Sequence, residues 1–196
     1  MRKNRKELIR ETAIEVMAEC GFHNSTTDKI AEHAQIAVGT ISNYFRNKEE
    51  ILEYIFAVEL KKRQEAYNEQ MQNDAPALKK LCALLELHFA EIAKDIRVGR
   101  ILVREQQLRG DRKPNEISAF LQGVPHWIQA LLDLALKQGE IRPCNTRILA
   151  AGIFGAIQGV AANAVFEEDK RLQKQILENA ATELMNLCEL GISMNR

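Results

Sequence analysis

Nothing in this chain alternates apolar and polar residues over the length of a strand, and no internal repeat or low-complexity tract runs through it. Those absences exclude a sheet built on the period-two pattern and an array of stacked repeats. No charge of one sign predominates either: 27 basic and 27 acidic residues give a formal net charge of zero. A polycation that holds nucleic acid by bulk charge is therefore excluded, and any basic surface has to be local. Cys20, Cys82, Cys144 and Cys188 are isolated, with no Cys-x-x-Cys pair and no histidine at ligand spacing, so no metal and no cofactor are expected and buried thiols on helices are the default. A redox switch would need two of the four to meet in space. No apolar run approaches the roughly 20 residues of a membrane span, and the first residues lack the apolar core of a signal peptide. A cytoplasmic protein with no membrane partner is the expectation. Prolines are few, at 76, 114, 125 and 143, and all but Pro125 fall at breaks between helical patterns.

Those patterns are what the sequence does contain. From Lys6 to Cys20, Leu8, Ile9, Ala13, Val16, Met17 and Cys20 follow a 3.6-residue period, with Glu7, Glu11, Glu15 and Glu19 on the other side, which predicts an amphipathic first helix. Gly21 stops it, and Phe22 can fold back beneath it. Arg2, Lys3, Arg5, Lys6 and Arg10 against the single acid Glu7 put positive charge at one end. The stretch TTDKIAEHAQIAVGTISNYFRNKEEI over Thr26–Ile51 then reads as two short helices, about Thr27–Ala34 and Val38–Phe45, joined by a tight turn. Thr26 and Thr27 are candidate N-caps. Ile41 and Phe45, four apart, share the face turned towards the first helix, leaving Thr40, Asn43 and Tyr44 outward. Hydroxyls there can donate to phosphate oxygens and an Asn can bond a base edge in two places, as in a helix-turn-helix whose second helix enters the major groove. Lys48 follows as a cation within reach of phosphate. The alternative is a helical hairpin in an all-helical core, with Tyr44 and Phe45 as buried aromatics.

The run GTISNYFRNKEEIL resembles, in order and spacing, the signature of the TetR family of transcriptional regulators: a Gly-Thr pair, a Tyr-Phe pair and a Lys-Glu pair. The resemblance is sharpest over about Leu8–Leu52. It implies phosphate contacts from Thr27, Thr40, Tyr44 and Lys48 and base contacts around Gly39 and Asn43. Two positions depart from it. Gln35 stands where the family usually has Gly in the turn, and Ala37 where it has Ser before the recognition helix, each change costing roughly 0.5 to 2 kcal/mol locally.

Beyond the headpiece, Asn47 is an N-cap for one long helix to about Met71, a lever of roughly 35 to 40 Å. A strongly apolar helix follows over Leu78–Ile92, then a shorter one over Asp95–Leu108 with Arg97, Arg100 and Arg104 on one face and Arg109 just beyond. That stripe is either a solvated face or a cationic mouth for an anionic effector. The helix from Ile117 to Ala135 contains Pro125, which kinks it or divides it in two. From Asn145 to Phe166 the chain is rich in small residues, including Gly152, Gly155 and Gly159, and three glycines inside a helix imply that something packs very close. A last amphipathic helix carries Leu172, Ile176, Leu177, Ala180, Leu184 and Leu187. These final two helices are the candidate homodimer surface, with Gly152, Gly155, Gly159, Leu172, Ile176, Ala180 and Leu184 as its residues; the family resemblance implies the same interface.

The expected fold is therefore all-α with about nine helices: a three-helix DNA-binding headpiece over residues 1–46 and a larger effector-binding and dimerisation domain over 47–196. The expected function is that of a ligand-responsive regulator, a repressor released from a palindromic double-stranded operator when an apolar or amphipathic effector fills the body. Candidate effector contacts are His88, Phe89, Arg104, Arg109, Phe120, Leu121, Val124, Trp127, Ile128, Phe154 and Gln158, for each of which ordinary core packing is the alternative. The body, with LVREQQLR before the Trp-bearing helix, resembles the fatty-acid-degradation regulators of the family, which implies long-chain acyl-CoA as effector. An enzyme is the rival class, but His23, His33, His88 and His126 form no His-x-x-x-His or Glu-x-x-His pair, and no nucleophile elbow or phosphate loop occurs. A third reading is a helical interaction module that does not bind DNA.

Overall fold

The structure, a computed structural model, describes residues 5–105 and 116–192. Among the described residues there are nine α-helices and no strand: α1 (Arg5–Asn24), α2 (Thr27–His33), α3 (Val38–Ser42), α4 (Lys48–Gln72), α5 (Ala77–Lys94), α6 (Ile96–Glu105), α7 (Glu116–Gln138), α8 (Thr146–Phe166) and α9 (Lys170–Ile192). The chain divides into two compact units, Met1–Leu60 with Arg97–Phe120, and Lys61–Ile96 with Leu121–Arg196. Helix α4 contributes to both.

In the first unit α1 buries Ile9, Ala13, Val16 and Met17 on the face its period predicts. Gly21 interrupts it at φ 78°, ψ 163°, a left-handed angle open to glycine and strained for other residues, and the break buries Phe22. Helix α2 packs on α1 and α3 on α2, with Ile30, Ala31, Ile41 and Phe45 all buried. Thr26 is the N-cap of α2, its side chain accepting from the Lys29 N–H at 3.2 Å. The turn between α2 and α3 closes by two backbone bonds, Gln35 N–H to the Glu32 carbonyl at 3.1 Å and Ile36 N–H to the Ala31 carbonyl at 3.0 Å. That pattern needs a left-handed residue at its centre, and Gln35 supplies it at φ 54°. Ala37, the N-cap of α3, makes no side-chain capping bond. Both departures from the family pattern therefore fall where the backbone would use the usual residue, a left-handed position at Gln35 and an N-cap at Ala37. Helix α3 is shorter than its apolar spacing suggests. It ends at Ser42, and Asn43, Tyr44 and Phe45 follow in a turn held by the Tyr44 and Phe45 N–H groups donating to the Ile41 carbonyl at 2.9 Å each.

Helix α4 is capped by Asn47, whose Oδ1 accepts from the Glu50 N–H at 2.9 Å while the Glu50 carboxylate accepts from the Arg46 N–H at 2.7 Å. In the second unit, α9 packs on α5 and α8. Pro76 offers no side-chain cap for α5, and a carboxylate distant in sequence takes over: Glu140 accepts from the Ala77 and Leu78 N–H groups at 2.8 and 3.0 Å. Helix α7 runs unbroken through Pro125, which settles the choice between one helix and two. The expectation that no apolar run reaches spanning length is corrected by α8. Its 21 residues, with a mean hydropathy of 1.7 over the most apolar window, are long and apolar enough to cross a membrane by length and composition alone. A core helix passes the same test, and α8 lies against α9 and α5.

Relieving the two local costs is expected to stabilise the headpiece. Gln35→Gly and Ala37→Ser should each raise the unfolding free energy by about 1 kcal/mol, read from urea midpoints at constant slope.

Candidate nucleic-acid interface and effector cavity

Ile41 of α3 and Phe45 of the turn after it are buried, and the residues around them are open. Gly39, Asn43 and Tyr44 are exposed and Thr40 is half-buried, with Tyr44 at 40% exposure. Thr27, half-buried, opens α2 immediately after its cap. The surface thus displays three hydroxyl residues, Thr27, Thr40 and Tyr44, one amide side chain and an open glycine backbone, a set able to meet phosphates and base edges.

Lys48 is more tightly engaged than its sequence position suggests. Its Nζ donates to the carbonyls of Phe22 at 2.9 Å, Ser25 at 3.0 Å and His23 at 3.2 Å, and it lies 4.5 Å from the centroid of the Phe22 ring. An ammonium has three donors, so a phosphate contact from this side chain would have to replace one of those bonds. The rest of the basic end is also partly engaged. Arg10 pairs with Glu7 at 2.8 Å, Tyr54 donates to Glu7 at 2.6 Å, and Lys6 lies 4.0 Å from the centroid of the Tyr54 ring. Burial pushes the Glu7 carboxyl up, but the bonds from Tyr54 and Arg10 and the charges of Arg10 and Lys6 outweigh it and leave the group below its ordinary value. Arg2 and Lys3 lie outside the described residues.

Two arginines of the α6 stripe bond to α1. Arg97 pairs with Glu15 at 3.0 Å, and Arg104 Nη1 donates to the Ala18 carbonyl at 3.0 Å. The buried Glu105 accepts from the Phe22 N–H at 3.3 Å. The Ala18 bond ties Arg104 to α1, and an effector contact from this side chain would use its remaining donors. Arg109 and the side chains of Phe120 and Leu121 lie outside the described residues.

The effector candidates that do converge are His88, Val124, Trp127 and Ile128, which line an apolar cavity of about 30 Å³ with Arg63, Leu81, Leu84, Leu85, Leu87 and Ile157. Phe89 is buried edge-on against His88, 5.4 Å between ring centroids. Neither Phe89, Phe154 nor Gln158 lines the cavity. Arg63 was missed, although Leu52, Phe56, Glu59 and Arg63 recur at the 4-3-4 spacing of one helical stripe, and a charged side chain continuing a buried stripe is itself a signal. Its Nε donates to His88 Nδ1 at 3.2 Å. Burial first, and the Arg63 charge second, hold His88 well below the ordinary imidazole range, so the ring is neutral and its proton sits on Nε2.

On the candidate dimer surface, Gly152, Gly155, Gly159 and Leu172 are exposed and Ile176 is half-buried, whereas Ala180 and Leu184 are buried within the chain and are withdrawn. Sequence reading passed over Ile148, Phe166 and Leu190, of which Ile148 and Leu190 are 70% and 68% exposed. A Cβ added at any of the three α8 glycines meets nothing within 4 Å, so whatever packs close to them is not found within the chain as described.

A helix-turn-helix with its second helix exposed, followed by a larger helical unit, defines a DNA-binding regulator. Residues 9–55 match the bacterial regulatory proteins of the tetR family. The chain is 33% identical over 181 residues to the fatty acid metabolism regulator protein of Bacillus subtilis (strain 168), covering 90% of this chain and 91% of that one. It superposes on the transcriptional regulator FadR of Bacillus subtilis in complex with stearoyl-CoA with a TM-score of 0.80 at 29% identity, over 92% of this chain and 96% of that one. On the fatty acid degradation regulator FadR of Bacillus halodurans the TM-score is 0.79 at 26% identity, over 94% and 96%. The chain belongs to the tetR family of bacterial regulatory proteins, in the subgroup of the fatty acid metabolism regulators.

The state of His88 has a measurable consequence. The unfolded chain takes up a proton at His88 below about pH 6.5 while the folded protein does not, so stability is lost as pH falls from there towards the lower folded value. His88→Leu should flatten that part of the stability profile, measured by urea unfolding between pH 7.5 and 5 in parallel with the wild-type protein.

Proposed function

We propose that this protein is a homodimeric repressor, working in the cytoplasm, that releases a roughly palindromic operator when long-chain acyl-CoA occupies the second unit. The observation that carries the DNA-binding part is the open face of Gly39, Thr40, Asn43 and Tyr44 behind the buried pair Ile41 and Phe45. Thr27, Thr40 and Tyr44 meet phosphates, and Gly39 and Asn43 approach the bases. A dimer places two such helices about one helical turn of DNA apart. The relatives support the effector class, since one of them is a FadR in complex with stearoyl-CoA. Functionally, residues 1–46 are the DNA-binding domain and 47–196 the effector and dimerisation domain.

The cavity is wired to α4. Arg63 lines it and bonds His88, and Tyr67, one turn further along α4, stacks on the lining residue Trp127 at 5.4 Å and 17°. A ligand that displaces Trp127 or His88 acts on two adjacent turns of the helix whose first residue is Lys48. The resulting coupling equals the difference in ligand affinity between the DNA-binding and released arrangements.

Binding to the protein's own upstream DNA should weaken steeply with salt, as contacts to phosphate require. Tyr44→Ala should lower that affinity by about tenfold, the loss of one bond to a charged group, and palmitoyl-CoA should release the wild-type complex in an electrophoretic shift assay. DNA affinity insensitive to both salt and Tyr44→Ala would overturn the interface; retention of the complex at saturating palmitoyl-CoA would overturn the effector class.

The dimer is tested separately. A leucine at exposed Gly155 meets no part of its own chain at Cβ and favours the helix by about 0.8 kcal/mol. Gly155→Leu is therefore expected to leave a folded monomer in sedimentation equilibrium, whereas an unchanged dimer would place the interface elsewhere.

A further inference from the structure

We propose that His88 is the polar anchor of the effector cavity, its Nε2–H donating to the carbonyl oxygen of an acyl thioester. The inference rests on the acyl-CoA reading above and assigns the contact by which the protein distinguishes the thioester from the rest of an apolar chain.

The geometry leaves His88 one free function. The residue is 8% exposed and lines the cavity among Leu81, Leu84, Val124 and Trp127. Its Nδ1 is committed as the acceptor for Arg63 Nε at 3.2 Å, which fixes the tautomer with the proton on Nε2. Nε2 is buried and has no hydrogen-bond partner. A buried donor left unmet is costly, and native structures retain few of them without a reason. Here the donor belongs to a residue that lines an apolar cavity, so the acceptor that suits it is one carried on an apolar body.

Arg63 defines the acceptor further. Itself 5% exposed, it places its charge on the Nδ1 side of the ring, which polarises the opposite N–H and keeps the imidazole from taking a second proton. A neutral donor on a residue that lines an apolar cavity matches a carbonyl oxygen at the head of an alkyl chain. The cavity of about 30 Å³ has room for a group the size of a water molecule, which accommodates the oxygen but not the chain. Entry of the chain must therefore part the apolar side chains around it, Trp127 among them.

The test uses the full-length protein and two ligands that differ at one group: palmitoyl-CoA, and S-hexadecyl-CoA, in which a methylene replaces the carbonyl. Trp127 is the only tryptophan in the chain and lines the cavity, so its fluorescence reports binding, with calorimetry as a second measure. The wild-type protein should bind the thioester about tenfold more tightly than the thioether, the worth of one hydrogen bond. His88→Leu should lose the preference by weakening the thioester alone. Equal affinities in the wild type would overturn the inference and leave the acyl-CoA reading standing, and a tenfold preference retained in His88→Leu would place the carbonyl contact elsewhere. Binding of neither ligand would overturn both. Should His88→Leu fail to fold, the wild-type comparison alone decides.

Discussion

Three backbone carbonyls at and just beyond the end of α1 tie the start of α4 to it. Where a helix stops, its last carbonyls have lost their partners and must find others. Here the chain reverses at Gly21 and drives Phe22 inward, which brings the carbonyls of Phe22, His23 and Ser25 around one point. The Lys48 ammonium fills it and also lies over the Phe22 ring. Since Lys48 is the first residue of α4, a single cation fixes the start of α4 against the end of α1. The N–H of the same Phe22 goes to buried Glu105 at the end of α6. The end of α1 is thus held to the start of α4 and the end of α6 by charge-assisted bonds to backbone, a stronger class than neutral ones.

Charge elsewhere in the protein follows the same logic. Arg97 and Arg104, spaced to share a helix face, spend that face on Glu15 and the Ala18 carbonyl of α1. Helical spacing shows which side chains point together, but not what stands opposite them. In the second unit the charge that matters is the one the stripe on α4 conceals: Arg63, whose bond to His88 settles the tautomer of the only histidine in the cavity lining. Glu140 caps α5 from 63 residues away, because Pro76 before that helix has no side chain able to do so.

Helix α8 poses the opposite problem, with many apolar residues and few that are covered. Only 33% of its most apolar window is buried, and its glycines are open on the side where a close approach would justify them. A glycine row costs helix stability unless another backbone comes near, which within the described chain none does. That unmet requirement, with exposed Ile148 at one end of the helix and Phe166 at the other, is what a self-association surface looks like before the second copy arrives.

The sequence by itself determined whatever depends on neighbours along the chain. Apolar periods placed the helices, Thr26 and Asn47 capped two of them, and the left-handed Gln35 and uncapped Ala37 appeared as the departures the family pattern implied. Local backbone geometry and propensity govern those features, and both can be read within a few residues. Only the tertiary structure decided what each polar group meets: Lys48 on the end of α1, Arg104 on Ala18, Arg63 on His88, and the burial of Ala180 and Leu184 within the chain. Those outcomes depend on partners separated by 23 to 86 residues in the hydrogen bonds. A side chain's spacing on its own helix carries no information about which distant surface will cover it.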